Sequence, residues 1–220
     1  MLLKDIIDIY VTRSSEFVEY FLQHLYIIAV ALAFIVLVGL LLGILMTYNR
    51  TFATIILAIT GFLYTIPSIA MFGFLVFITG IGNTSAIIAI FIYGVLPLIR
   101  NTYVGIQEVS LDILEAATGM GSTEAQLLFR IKLPLAAPVI IAGLRTTVVM
   151  TIALGGIASF IGAGGLGIPI WRGIAVNNRA LTIAGSLLIA LMAVLADLSL
   201  QIIEKRLKYR TKYKDKRREI

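Results

Sequence analysis

Seven residues of this 220-residue chain stand at fixed offsets in one polar stretch: Glu115, Ala116, Ala117, Gly121, Ile131, Leu133 and Pro134. Their types suit contact chemistry rather than bond making. A carboxylate beside two slim side chains, followed by a helix-breaking glycine, describes a short helix that another surface can approach closely. Ser110 stands where an N-cap belongs, Leu111 to Ala117 continue as helix, and Ile113, Leu114, Ala117 and Met120 form its apolar face. Gly121 lets the chain turn. Gln126 to Lys132 read as a second short helix before Leu133-Pro134. The same residues also suit an ordinary amphipathic loop helix lying on lipid headgroups, so their surroundings must decide.

Other side chains could recognise a small solute. A cation whose headgroup donates no hydrogen bonds is held by aromatic faces, and Tyr64, Phe72, Tyr93 and Trp171 are available. Thr65, Ser68, Asn101, Thr151 and Ser159 could supply polar wall groups along the same path. Aromatics in apolar runs more commonly pack or sit at membrane interfaces. Arg145 and Asp197 interrupt apolar runs, where charge is costly and faces a partner or water. They read as a substrate or gating pair, or as side chains near the cytoplasmic ends of the last two spans that snorkel or bridge structurally, and the second reading is the expectation. His24, the sole histidine, is expected at an interface rather than as a ligand.

Bond-making chemistry has no candidates. There is no cysteine, which excludes disulfides, thiolate metal sites and a cysteine nucleophile. No G-x-x-x-x-G-K-[ST], G-x-S-x-G or H-E-x-x-H occurs, so the chain has no phosphate-cradling loop, no catalytic residue and no metal-ligand set to nominate.

The elements that position these residues are apolar. Sixty per cent of residues are hydrophobic and 14% charged, with a mean hydropathy of +1.01. Several runs approach the ~20 residues that cross a bilayer as helix. Spans are expected over about Phe21–Thr47, Phe52–Thr79, Ser85–Ile99, Leu133–Ile161 and Leu181–Ile203. The second is interrupted at Thr65-Ile66-Pro67-Ser68, where proline bends or breaks a helix or makes it partly re-entrant. Pro97 is expected near the end of the third and Arg100 to close it, and Pro134 and Pro138 to delay regular helix in the fourth. Gly162 to Gly173 reads as irregular backbone, which survives at membrane depth only inside protein or beside a water-filled cavity. The first 19 residues carry four acids and two bases and do not resemble a cleaved signal peptide. Ile6, Ile7, Tyr10, Val11, Phe17, Val18 and Phe21 approximate one face of an interfacial helix.

Charge orients the bundle. Nine of the 18 lysines and arginines lie between Lys205 and Arg218, leaving a body near neutrality. Such a tail after a span suits the cytoplasmic face and anionic headgroups; nucleic acid is a poor partner without a folded basic face. With the C-terminus inside, Arg50, Arg100, Arg130 and Lys132 join the tail in the cytoplasm, while Lys4, Arg13, Arg172 and Arg179 lie outside. The positive-inside rule therefore puts the N-terminus outside and Glu115 to Pro134 in the cytoplasm.

In that setting Glu115-Ala116-Ala117, Gly121, Ile131, Leu133 and Pro134 match the EAA motif of type I ABC importer permeases, the MetI-like transmembrane domain. The runs Thr65-Ile-Pro-Ser-Ile-Ala, Gly80-Ile-Gly-Asn, Leu96-Pro-Leu-Ile-Arg-Asn-Thr-Tyr-Val-Gly-Ile and Ile161-Gly-Ala-Gly-Gly-Leu-Gly resemble the glycine betaine, carnitine and choline branch of osmoprotectant permeases. The glycine-rich run is the least specific of these, since other small-solute permeases look similar there. The resemblance covers roughly residues 20 to 203.

It implies an all-α membrane protein of the bacterial cytoplasmic membrane: a polytopic bundle of about five transmembrane helices. Residues 1–19 would be the lead-in, 20–203 the transmembrane domain with a coupling helix within about 110–132, and 204–220 a basic cytoplasmic tail. It also implies ABC ATPase subunits that hold ATP and magnesium, a second permease subunit, identical or similar, and an extracytoplasmic substrate-binding protein. The chain itself would be no enzyme and carry no cofactor. Gly162, Gly164, Gly165 and Gly167 would form an outer closure. The competing readings are a permease for another small solute such as an amino acid, or a self-sufficient secondary transporter. The latter would need buried acids at mid-membrane, and Asp197 is the one acid inside an expected span, off-centre.

Overall fold

A computed structural model describes the backbone of residues 2–216 and the side chains of 2–207; sequence features beyond Leu207, including most of the basic tail, lie outside the described side chains. All regular structure among the described residues is helical. In chain order the helices are α1 (Leu2–Thr12), α2 (Ser14–Leu45), α3 (Arg50–Thr65), α4 (Ser68–Thr79), α5 (Asn83–Gln107), α6 (Leu111–Gly119), α7 (Glu124–Gln126), α8 (Leu133–Ala158), α9 (Gly167–Ala175) and α10 (Arg179–Lys216). A π-helical turn, Leu127–Lys132, joins α7 to α8, and 3-10 turns follow α2 and α8.

Among the described residues, four helical stretches are long and apolar enough to cross a membrane. The pair α3–α4, bent by 98°, makes a fifth if it is one span. Helix α5 lies at the centre, flanked by α2 and α8, with α10 beyond α8. Close approach of small residues, rather than a hydrophobic drive, holds helices together in lipid. Gly43 of α2 shows it: a Cβ there would lie 2.5 Å from Thr102 Cβ of α5. The main core gathers Ile27, Ile35, Phe72, Ile90 and Leu98. Large apolar side chains on the outside, such as Leu37, Leu41, Leu191 and Leu195, suit a lipid surround rather than water.

The break between α3 and α4 follows the expected rule. Ile66, pushed out of helix by the following proline, is extended (φ −70°, ψ 129°). Its carbonyl, freed from any helical partner, accepts a hydrogen bond from the Tyr93 hydroxyl of α5.

Several expected boundaries move. The third helix does not close at Arg100: α5 continues to Gln107 with Pro97 inside it. One turn earlier the Thr147 hydroxyl of α8 donates to the Gly94 carbonyl at 3.1 Å, and a neighbouring helix of this kind makes an intramembrane proline tolerable. The polar stretch between spans thus shrinks to the residues after Gln107. Pro138 likewise sits inside regular helix. Only Gly162 to Leu166 of the glycine-rich segment is irregular, since α9 begins at Gly167. The expected lead-in of residues 1–19 is divided, since α1 ends at Thr12 and α2 starts at Ser14. Its apolar side chains also divide. Ile6 and Phe17 are buried and Tyr10 donates to the Ala184 carbonyl at 2.7 Å, while Ile7, Val11, Val18 and Phe21 stay exposed.

Candidate functional site

The polar segment folds as two short pieces on the end of a rod. Helix α6 closes in a Schellman turn: Ser122 N–H donates to the Ala117 carbonyl at 3.1 Å and Gly121 N–H to the Thr118 carbonyl at 2.9 Å. Gly121 has φ +85°, a conformation that side-chain-bearing residues rarely adopt. Ser110 occupies the N-cap position but makes no side-chain capping bond. Ala117 is buried and Ile113 and Leu114 half-buried, whereas Glu115 and Ala116 face outward. Met120, expected on the apolar face, is 80% exposed at the C-cap of the helix.

After the turn, Thr123 and Gln126 form a capping box, with Thr123 N–H donating to Gln126 Oε1 at 2.9 Å and Gln126 N–H to Thr123 Oγ1 at 3.3 Å. That T-x-x-Q pattern was legible in the sequence and marks a helix start. From Glu124 the chain stays helical through Ile161, 38 residues in all. The π turn carries Ile131 and precedes Leu133 and Pro134. Pro134 has no N–H and its ring crowds the carbonyl four residues back, and the wider turn leaves it room. Helix α6 packs on this turn, so the seven motif residues sit on one mechanical unit continuous with α8.

The proposed path residues separate. Tyr64 and Tyr93 meet at the α3–α4 break with ring centroids 5.8 Å apart, and the Tyr64 hydroxyl reaches Met150 Sδ at 3.4 Å. Thr65 is exposed beside them and Ser68 half-buried. Phe72 is packed in the main core, and Thr151 is buried with its hydroxyl on the Val148 carbonyl at 2.9 Å. Asn101 lies two turns along α5 from Tyr93 and binds the Pro97 carbonyl at 2.8 Å. Ser159, at the far end of α8, binds the Gly156 carbonyl at 3.0 Å. Trp171 is partly exposed on α9, tilted against Phe160 with centroids 4.7 Å apart.

The glycine loop is tied down at three points. Gly164 N–H points at Asn83 Oδ1 (3.4 Å), Gly165 N–H donates to Gln23 Oε1 (3.1 Å), and Gly167 abuts the Gly156 carbonyl, where a Cβ would come within 1.9 Å. Gly162 and Gly165 both have positive φ. His24 corrects the expectation of an interfacial side chain. It is fully buried, with Nε2 3.2 Å from the Ile152 carbonyl, and sits between Gly155 and Gly165. Only the two glycines in sequence hinted at the room it needs.

Arg145 of α8 bridges to α10 rather than standing alone. Its Nε donates to Asp197 Oδ1 at 2.7 Å and Nη2 to Asp197 Oδ2 at 3.1 Å, a bidentate pair. Nη1 donates to Glu204 Oε2 at 2.8 Å. Glu204 was missed because it falls at the edge of the basic tail, and its burial was not foreseeable from sequence.

An all-helical bundle with an apolar helix pair bent at Pro67, a helical appendage continuous with α8 and a glycine-tied far end is the architecture of a polytopic membrane protein. Comparison with known proteins makes this specific. Residues 35–209 match the family described as binding-protein-dependent transport system inner membrane component, and the chain belongs to that family. It is 45% identical over 165 residues (74% of this chain) to the ergothioneine transport permease/ergothioneine binding protein EgtU of Helicobacter pylori, of which the match spans only 30%. It is 42% identical over 194 residues to the glycine betaine/carnitine/choline transport system permease protein OpuCD of Bacillus subtilis, covering 88% of this chain and 83% of that one. In fold it resembles the inward-facing methionine ABC transporter MetNI, with TM-score 0.77 and 22% identity over 87% of this chain and 95% of the other.

Proposed function

We propose that this chain is the permease subunit through which an ABC importer passes a quaternary-amine zwitterion or related amine into the cytoplasm. The relatives' names support the cargo class, since glycine betaine, carnitine, choline and ergothioneine all carry a trimethylammonium group. The aromatic pair Tyr64–Tyr93 at the α3–α4 break is a suitable first contact for such a headgroup.

The observation that carries the mechanism is the unit made of α6, its Gly121 turn and the helix running from Glu124 into α8. Helix α6, presenting Glu115 and Ala116, docks in a groove on a separate ATPase subunit. Two permease subunits face one another, and closure of the ATPases on ATP drives the coupling helices and turns the path outward. A binding protein delivers solute, and reopening releases it inside. The N-terminus lies outside and the C-terminus in the cytoplasm, as the loop charges require. The chain itself binds solute and moves; hydrolysis belongs to its partner.

Reconstitution of the complete importer into liposomes tests this. Labelled glycine betaine, carnitine, choline and ergothioneine are offered from the binding-protein side, with and without ATP on the ATPase side. Uptake of at least one, strictly dependent on ATPase and binding protein, is expected. Gradient-driven uptake by this chain alone would falsify the importer reading and favour a secondary transporter.

A further inference from the structure

Arg145 stands 12 residues into α8, roughly 18 Å along the helix from Leu133, with its side chain partly exposed and turned to α10. Its partners come from one helix. Asp197 and Glu204 are seven residues apart on α10, two turns on nearly the same face and roughly 10.5 Å along the axis. The guanidinium reaches both because its nitrogens point in different directions: Nε and Nη2 close on Asp197 at 2.7 and 3.1 Å, and Nη1 on Glu204 at 2.8 Å. A fork held at two levels fixes the rotation of α8 against α10 and also its height. A shift of one turn, about 5.4 Å, would have to surrender one acid or the other.

What lies at the two ends of this contact gives it a use. Helix α8 is continuous with the segment beginning at Glu124 and so with the seat of α6. Helix α10 carries α9 through contacts with no slack: a Cβ on Gly173 would meet Thr182 Oγ1 at 2.3 Å, and one on Gly185 would meet Ile170 Cγ1 at 2.8 Å. Helix α9 in turn begins at Gly167, the end of the glycine loop. We propose that Arg145, clasped by Asp197 and Glu204, is a positioning residue that makes α10 and α9 follow α8 when the coupling segment moves, carrying ATPase closure to the glycine loop at the opposite end. The proposal rests on the importer reading above but concerns a different link. It requires the clasp to matter for coupling, not merely for charge balance.

The complete importer, reconstituted as above, distinguishes the two. In Arg145→Lys the charge is kept and the fork is lost. The expected result is an assembled complex in which ATP hydrolysed per solute imported rises about fivefold, a typical size for lost coupling between sites. A second variant replaces the partly buried cluster by apolar side chains, Arg145→Met with Asp197→Leu and Glu204→Leu, removing all three charges together. It too should assemble and be uncoupled. An unchanged ATP-to-solute ratio in either assembled variant overturns the clasp. Failure of both to assemble assigns the cluster to folding alone and overturns it equally. Absence of ATP-dependent uptake by the unaltered complex would instead strike the importer reading.

Discussion

Gly121 carries the sharpest demand at the scale of single residues. Its φ of +85° is set by the Schellman turn, not by crowding, since a Cβ there would meet nothing within 4 Å. Substitution therefore acts through backbone strain, of about 1–2 kcal/mol for an ordinary L-residue, and asparagine tolerates the left-handed region better than most. Gly121→Val should leave the membrane bundle assembled while reorienting α6, raising ATP consumption per solute imported. Gly121→Asn should stay close to the unaltered protein. The check is the ratio of ATP hydrolysis to uptake in proteoliposomes, beside size-exclusion of the purified complex. Equal coupling in both variants would mean the turn is irrelevant to docking. The turn at this residue was legible because glycine directly after a short amphipathic run commonly ends the helix in the left-handed conformation. His24 was illegible for the opposite reason: its burial depends on Gly155 and Gly165, 131 and 141 residues away in the chain, meeting around it.

Helices and their breaks show the same division. Apolar runs located α2, α5, α8 and α10 because lipid permits little else than a helix of that length. Their ends were less legible, since proline was read by its local effect alone. Pro67 does break its helix, and Pro97 does not, although each removes one N–H. The difference is tertiary. At Pro67 the chain turns through 98° and Tyr93 reaches across to the Ile66 carbonyl, whereas α5 continues as helix through Pro97, packed between α2 and α8. Tyr93→Phe tests how far that cross-helix bond sets the break. Tyr93 is buried, so leaving the Ile66 carbonyl without its donor should cost about 1–3 kcal/mol, read as a lower melting temperature of the detergent-solubilised chain. An unchanged melting temperature would show that water from the solute path replaces the hydroxyl and that this bond does not set the break. The pairing of α6 with a π turn was likewise beyond a reading of local pattern. It requires knowing that the helix from Glu124 runs unbroken past Pro134.

For the molecule as a whole, the decisive question is which end faces which compartment. Helix α8 has 26 residues and a length of roughly 39 Å, more than the ~30 Å hydrocarbon thickness. A span of that length would put the segments it joins, α6 before it and α9 after it, on opposite sides of the membrane. Arg50, Arg100, Arg130 and Lys132 belong to the α6 side and Arg172 and Arg179 to the other in the orientation proposed above, in which the positive-inside rule would place α6 in the cytoplasm. The absence of cysteine makes the arrangement directly measurable without first removing native thiols. Thr118→Cys places a thiol on the exposed side of α6, and Val176→Cys places one just after α9, where the side chain is 69% exposed. In intact cells a membrane-impermeant maleimide should label Val176→Cys and spare Thr118→Cys; after permeabilisation both should react. The ATPase partner should then protect Thr118→Cys once the complex is assembled, because α6 would be covered. Labelling of Thr118→Cys from outside would invert the bundle, and with α6 on the wrong side no cytoplasmic ATPase could drive it.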